Sequence, residues 1–310
     1  MTQYALVFPG QGSQSRGMMV GYADFNMVRE TFTEASDILK QDLWQLVCDG
    51  SDADLNATIN TQPIMLTAGI AVYRAWKSMN GPSPKILAGH SLGEYTALVA
   101  SGALKFSDAL PLVRYRAECM QKAVPEGLGG IAAILGLDDE IVRDICKEAA
   151  KNEVLEAVNY NSPGQIVIAG NRAAVERGME LAKLRGAKRA LMLPMSVPSH
   201  CSLLRGAADK LRAYLENIQL GVPTIPVLHN ADVMSYSDAA SIKDALVRQL
   251  YSPVRWVETI LYFGKQSITH NIECAPGKVL VGLNKRIDTS QHALTLNDTA
   301  AIHAAFAVLT

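Results

Sequence analysis

Gly89-His90-Ser91-Leu92-Gly93 stands between an apolar strand candidate, Lys85-Ile86-Leu87-Ala88, and a helix candidate, Glu94-Tyr95-Thr96-Ala97-Leu98-Val99-Ala100. The five residues fit G-x-S-x-G, a turn in which a strand bends sharply into a helix. The bend holds the middle serine in strained backbone geometry and lifts its hydroxyl to the mouth of the sheet. Glycine on both flanks leaves room for neighbouring chain to come close. The first free N–H groups of the helix then lie beside the hydroxyl. A strand before and a helix after are the context the motif requires, so Ser91 is the candidate nucleophile.

Upstream, Tyr4-Ala5-Leu6-Val7-Phe8 is a short continuous apolar run, the pattern of a buried parallel strand. It ends in Pro9-Gly10-Gln11-Gly12-Ser13-Gln14. Ser15 stands where a dinucleotide fingerprint needs a third glycine, and the P-loop lysine is missing. The loop either lines a site with backbone N–H donors or is a plain strand-to-helix turn.

Helices are predicted over about 25–40 and 63–79. A third, capped by Ser107, runs from Asp108 to about Val124 with Ala109, Leu110, Val113, Ala117 and Met120 as its apolar stripe. Arg116 borders that stripe, where a guanidinium is costly unless an anion meets it. The anion is either an acidic side chain of this protein or a substrate carboxylate gripped by paired hydrogen bonds.

From Gly127 the pattern becomes β-α-β-β-α-β. Strands are predicted at Ile131–Leu137, Val154–Asn159, Gln165–Ala169 and Lys188–Leu193, with helices at Asp138–Ala150 and Ala173–Arg185. Asn161-Ser162-Pro163-Gly164 is the turn between the middle strands. The unit reads as a small domain, 127–196, inserted into a larger one, 1–126 and 197–310.

Pro194-Met195-Ser196-Val197-Pro198-Ser199-His200-Cys201 returns the chain to the large domain through a loop stiffened by two prolines. His200, at its end, is the best-placed of six histidines to act as a base, because the loop is rigid. A structural role for a lone loop histidine stays open. A helix follows, with Leu204, Ala208, Leu211 and Leu215 on one face. The last third alternates again: strands at Ile225–His229 and Ile268–Cys274, helices at about Ala240–Leu250, Val254–Phe263, from Lys278, and from Thr299. Strands separated by helices imply a mostly parallel sheet covered on both faces.

The chain has 310 residues, 49% of them hydrophobic, enough for a large α/β core plus a smaller unit. A net charge of −1 implies no strong field toward nucleic acid or an anionic membrane. Five scattered cysteines without a C-x-x-C pair suggest neither a metal site nor a disulfide framework, and fit a reduced, cytoplasmic chain. Met1-Thr2-Gln3-Tyr4 enters a strand directly, with no basic region and no long apolar run, so secretion and membrane spanning are not expected.

Several stretches together resemble the malonyl-CoA:acyl carrier protein transacylases of bacterial type II fatty-acid synthesis. They are Phe8-Pro9-Gly10-Gln11-Gly12-Ser13-Gln14, Gly89-His90-Ser91-Leu92-Gly93-Glu94-Tyr95, Arg116, Asn159-Tyr160-Asn161-Ser162-Pro163-Gly164-Gln165 and Val197-Pro198-Ser199-His200. Gln249 and Pro276-Gly277-Lys278-Val279-Leu280 continue the resemblance, which covers essentially the whole chain. It implies an α/β-hydrolase-like large domain with a ferredoxin-like insert. It implies Ser91 as nucleophile and His200 as general base, oriented by the backbone carbonyl of Gln249 rather than by a carboxylate. It makes the N–H groups of Gln11 and Leu92 the oxyanion hole and pairs Arg116 with the malonyl carboxylate. Malonyl-CoA is then the substrate, the phosphopantetheine thiol of acyl carrier protein the acceptor, and no cofactor or metal is bound. A monomer is expected. Ser199 stands where many members carry phenylalanine, close to the acyl pocket, which leaves malonyl against methylmalonyl selectivity open. Ala275 replaces a frequent glycine before the Pro-Gly turn.

Two other readings share the elbow. An α/β-hydrolase would place an acid and then a histidine late in the chain, such as Asp232 and His270. A polyketide-type loading or carrier-binding domain would hold carrier protein without turnover. Because acyl carrier proteins are acidic, Lys188, Arg189, Lys285 and Arg286 are candidates for a docking patch, or plain solvated charge.

Overall fold

The computed structural model describes residues 2–195 and 197–310. Met1, and Ser196, where the inserted unit is expected to end, lie outside the described residues.

The first strand, β1 (Tyr4–Phe8), is buried along its whole length. Helices α1 (Asn26–Leu39), α2 (Leu43–Asp49), α3 (Asp52–Asn56) and α4 (Thr58–Ser78) lead to β2 (Ile86–Gly89), then α5 (Gly93–Ala100) and α6 (Phe106–Ala123). Next come β3 (Gly129–Leu135), α7 (Asp139–Ala150), β4 (Leu155–Ser162), β5 (Gln165–Asn171), α8 (Arg172–Leu184) and β6 (Arg189–Met192). The chain closes with α9 (Arg205–Glu216), β7 (Val227–Leu228), α10 (Ala239–Gln249), α11 (Trp256–Lys265), β8 (His270–Glu273), α12 (Val279–Ile287), β9 (His292–Thr295) and α13 (Thr299–Leu309).

One sheet has the order β7-β2-β1-β8-β9, and all its pairs are parallel. Side chains of β1 alternate between two cores. Tyr4, Leu6 and Phe8 join residues of α1, α4 and α6 on one face. Ala5 and Val7 join Trp256, Ile260 and Phe263 of α11 and Leu280 and Leu283 of α12 on the other. Helices therefore cover both faces, as a parallel sheet requires. The second sheet, β4-β5-β3-β6, is antiparallel throughout. One of its faces packs on α7 and α8 around Ile134, Ile145, Ile168 and Val175. The other face, with Ile131, Val158 and Val167, meets Cys201.

Four expectations need correction. The helix through Arg116 starts at Phe106, not after Ser107: Lys105 is its cap residue and its carbonyl accepts from Asp108 and Ala109. Burial of the Phe106 ring favours that earlier start. Helix α4 runs back through Pro63 to Thr58, where Thr61 Oγ1 donates to the Leu55 and Ala57 carbonyls. The strand expected over Ile225–His229 is reduced to two residues. Val254 is not helical, because its N–H donates to Val158 (2.9 Å) and its carbonyl accepts from Tyr160 (3.0 Å). That pair of bonds ties β4 to the segment before α11.

The phenylalanine that ends β1 and the glycine that opens α5 are nearly in contact. A Cβ at Gly93 would lie 2.0 Å from the Phe8 carbonyl oxygen, and one at Gly89 would lie 1.8 Å from the Gly93 carbonyl carbon. Backbone on both sides cannot move aside, so Gly93→Ala should lower stability by about 3 kcal/mol or more. Thermal unfolding beside the wild type measures it, and a difference under about 1 kcal/mol would contradict this packing.

Candidate active site

The elbow sits at the carboxyl ends of β1 and β2, where open parallel sheets form their crevices. Ser91 has φ +52°, a left-handed conformation that a residue with a side chain adopts only when its surroundings impose it. Asn230 does much of the imposing. Its Oδ1 accepts from the Ser91 N–H at 2.7 Å, and its Nδ2 donates to the Gly89 carbonyl at 2.6 Å. Among the described residues, the backbone N–H groups of Leu92 and Gln11 have no acceptor. A Cβ on Gly10 would lie 3.6 Å from the Leu92 nitrogen, so the loop after β1 lies against the elbow. Free N–H groups on residues that line one cleft with a serine hydroxyl are of the kind that can receive an oxyanion.

His200 also has positive φ, +66°, and its N–H donates to the Leu250 carbonyl. Its Nδ1 lies 2.7 Å from the Gln249 carbonyl oxygen. A carbonyl only accepts, so Nδ1 carries the proton and donates. Nε2 then holds a free lone pair 2.8 Å from Ser91 Oγ and accepts from the hydroxyl. Burial, and then the Arg116 guanidinium, push the imidazole pKa down to about 3. The ring is neutral near pH 7, as a general base must be.

Arg116 is 1% exposed. Its Nη1 donates to Gln62 Oε1 at 2.8 Å, and its Nη2 donates to Gln249 Oε1 at 2.9 Å and to Ser91 Oγ at 3.3 Å. Its Nε has no partner among the described residues. No carboxylate there lies within ion-pair reach of it. Burial lowers its pKa. This is a dry cation held by neutral amides with its fork beside Ser91 Oγ, and among the described residues it has no acidic side-chain partner of the kind allowed by sequence. What it lacks is an anion, and the position suits one carried by a ligand bound at Ser91.

Sequence reading missed Gln62, Asn230 and Glu94. Glu94 is 0% exposed and accepts from His229 Nδ1 (2.7 Å), Asn230 N–H (2.9 Å) and Gln249 Nε2 (2.9 Å). Asn161, on β4, holds His90 of the elbow at 2.8 Å. The antiparallel sheet thus contributes to the site. A cleft of about 510 Å³ opens over Ser91, Leu92, Gln11, Arg116 and His200, walled on its far side by Ala133 and Val167. Ser199 and Met120 also line it. Among the described residues, no cluster of three or more metal-ligating side chains exists, and no helix is long and apolar enough to cross a membrane.

The hydrolase arrangement fails on geometry. His270 pairs with Tyr4 at the amino end of the parallel strands, whereas Gly89 pairs with Phe8 at the carboxyl end. Asp232 is engaged by Arg248 and Tyr236.

The model of the acyl transferase domain family matches residues 5–302. The malonyl CoA-acyl carrier protein transacylases of Salmonella typhimurium and Escherichia coli are each 52% identical over 306 residues, covering 98% of this chain and 99% of theirs. An acyl-carrier-protein S-malonyltransferase structure from Burkholderia pseudomallei is similar with TM-score 0.97 and 56% identity, over 99% of this chain and all of that one. A malonyl-transacylase solved with its type II PKS acyl carrier protein is similar with TM-score 0.98 and 49% identity, over 99% and 100%.

The depressed His200 pKa has a sign that can be checked. The folded protein leaves this ring unprotonated where the unfolded chain protonates it, so its contribution to stability falls as pH drops below about 6.5. In the folded protein the ring stays neutral well below pH 6.5. Sulfonylation of Ser91 by a neutral sulfonyl fluoride should therefore show no acid limb near 6.5, and a limb centred there would contradict the burial of His200.

Proposed function

The chain belongs to the acyl transferase family, and we propose that its reaction is transfer of malonyl from malonyl-CoA to the phosphopantetheine thiol of acyl carrier protein through Ser91. The product supplies fatty-acid synthesis. The observation that carries the substrate is Arg116, a buried cation without an anion, 3.3 Å from the nucleophile oxygen.

In the proposed sequence His200 Nε2 takes the Ser91 proton as Oγ attacks the thioester carbonyl. The oxyanion is received by the N–H groups of Gln11 and Leu92, each worth about 3–4 kcal/mol in the transition state. Collapse breaks the carbon–sulfur bond, and His200 returns the proton to the departing CoA sulfur. Malonyl-Ser91 remains, its carboxylate on Arg116. In the second half the carrier thiol gives its proton to His200 and attacks the ester, and Ser91 leaves reprotonated. Gln249 orients the base through its carbonyl throughout. No metal or redox group enters this scheme.

We read 1–126 and 197–310 as a hydrolase-like catalytic domain and 127–196 as a ferredoxin-like domain that closes the cleft, in a monomeric cytoplasmic enzyme. The separate hydrophobic cluster of 127–196 and its sheet order support the division. The close Ser91–His200 pair speaks for turnover rather than passive carrier binding.

Intact mass after mixing with malonyl-CoA should show one malonyl unit on the wild type and none on Ser91→Ala, and holo carrier protein should clear it. Arg116→Ala should lose about 2–5 kcal/mol of malonyl transfer while acetyl loading from acetyl-CoA is spared. An adduct on Ser91→Ala, or equal losses for both acyl groups, would refute these roles.

Lys188, Arg189, Lys285 and Arg286 are exposed and make no ion pair among the described residues. We assign them to the acidic carrier. Arg189→Glu with Lys285→Glu should raise KM for carrier protein about tenfold and change Ser91 loading less than about twofold. An unchanged carrier KM would return them to ordinary surface charge.

A further inference from the structure

Glu94 is a carboxylate in the first turn of α5, immediately past the elbow, and is fully buried. Such a group is tolerated only when donors satisfy it. Its three donors come from two places in the sequence: the adjacent His229 ring and Asn230 backbone, and the Gln249 side chain.

The Gln249 contact has a consequence beyond burial. The Nε2 of Gln249 has two hydrogens, one given to Glu94 Oε2 and one to the Ser91 carbonyl at 2.9 Å. Its Oε1 accepts from Arg116. Every polar atom of the amide is therefore used, and only one of its two orientations works. Turning it over would point NH₂ at a guanidinium and oxygen at a carboxylate. Arg116 can only donate and the Ser91 carbonyl can only accept, and Glu94 Oε2 adds a second acceptor, so the three together select the working orientation. The same residue offers its backbone carbonyl to His200 Nδ1. Asn230, held by Glu94 through its N–H, holds Ser91 N–H in turn.

We propose that Glu94 is a positioning residue for malonyl transfer, acting through Gln249 to fix the carbonyl that orients His200 and the amide that steadies Arg116. The assignment to malonyl rests on the reaction proposed above. The orientation of His200 does not.

The replacement Glu94→Gln separates the hydrogen bonds from the charge. Both the Gln249 and Asn230 donors use Oε2, so one amide oxygen there keeps both. The new NH₂ then faces His229 Nδ1, which can accept once the ring proton moves to Nε2. Glu94→Ala removes all three acceptor contacts. Two quantities are measured on protein shown by thermal melting to be folded at the assay temperature. They are the rate of Ser91 sulfonylation by phenylmethanesulfonyl fluoride, which lacks a carboxylate, and KM for malonyl-CoA. Glu94→Ala should react about 10–100-fold more slowly and show a raised KM, whereas Glu94→Gln should react within about fivefold of wild type. If Glu94→Ala does not fold, Glu94→Asp replaces it, since its shorter carboxylate withdraws from Gln249 and should slow sulfonylation about tenfold. Wild-type values for both quantities in folded Glu94→Ala, or in Glu94→Asp where it stands in, overturn the proposal. So does Glu94→Gln as slow as Glu94→Ala. Should wild type fail to load malonyl, the malonyl reading falls, while the sulfonylation rates still decide whether Glu94 positions the base.

Discussion

Gly93 passes the carbonyl of Phe8 with no room for a side chain, and the rest of the site depends on that approach. It seats the start of α5 against the end of β1 rather than beyond it. The loop after β1 then lies against the elbow, with Gly10 close to His90 and Leu92. The same crowding leaves Ser91 in a left-handed conformation with its hydroxyl projecting outward. Strain at Ser91 is sustained because the two adjacent parallel strands and the Asn230 bridge leave it no alternative.

Around that point the protein gathers one buried cation and one buried carboxylate and keeps them from pairing directly. Gln249 stands between Arg116 and Glu94, accepting from one and donating to the other. A direct ion pair would satisfy both charges and leave the guanidinium little reason to take an incoming anion. Neutral amides hold the fork in place at lower electrostatic cost and leave its charge uncancelled. Burial is the larger cause that keeps His200 unprotonated, and the field of the same cation adds to it.

The antiparallel sheet is part of this arrangement. Its apolar face meets the residue after His200, and Asn161 reaches the histidine of the elbow. Bonds between Val254 and the backbone of β4 run alongside. The cleft wall and the loop that carries His200 are thus fixed against the same sheet.

Much of the fold was legible because buried parallel strands are unbroken apolar runs, as in Tyr4–Phe8, and because long helices announce themselves by period. The edge strand His292–Thr295 was not, since a half-exposed strand of four mixed residues carries no such run. Helices α2 and α3 were missed too, being a few residues long and marked only by Asp42 and Ser51 at their caps. The motif singled out Ser91 as a candidate and foretold its strand-to-helix turn, because both are written in five adjacent residues. His200 and Arg116 stood out by type and neighbourhood, but the residues alone left their roles divided and the family resemblance assigned them; the fold brings both to Ser91 from 109 and 25 residues away. Gln62 and Asn230 carry no local signal, since an amide is ordinary anywhere in a sequence, and Glu94, though it follows the elbow directly, gave no sign that it would be buried. Local sequence determined the strands, the elbow and the chemistry on offer. Tertiary structure alone decided which groups lost water together, and loss of water is what turns a glutamine, a glutamate and an arginine into an active site.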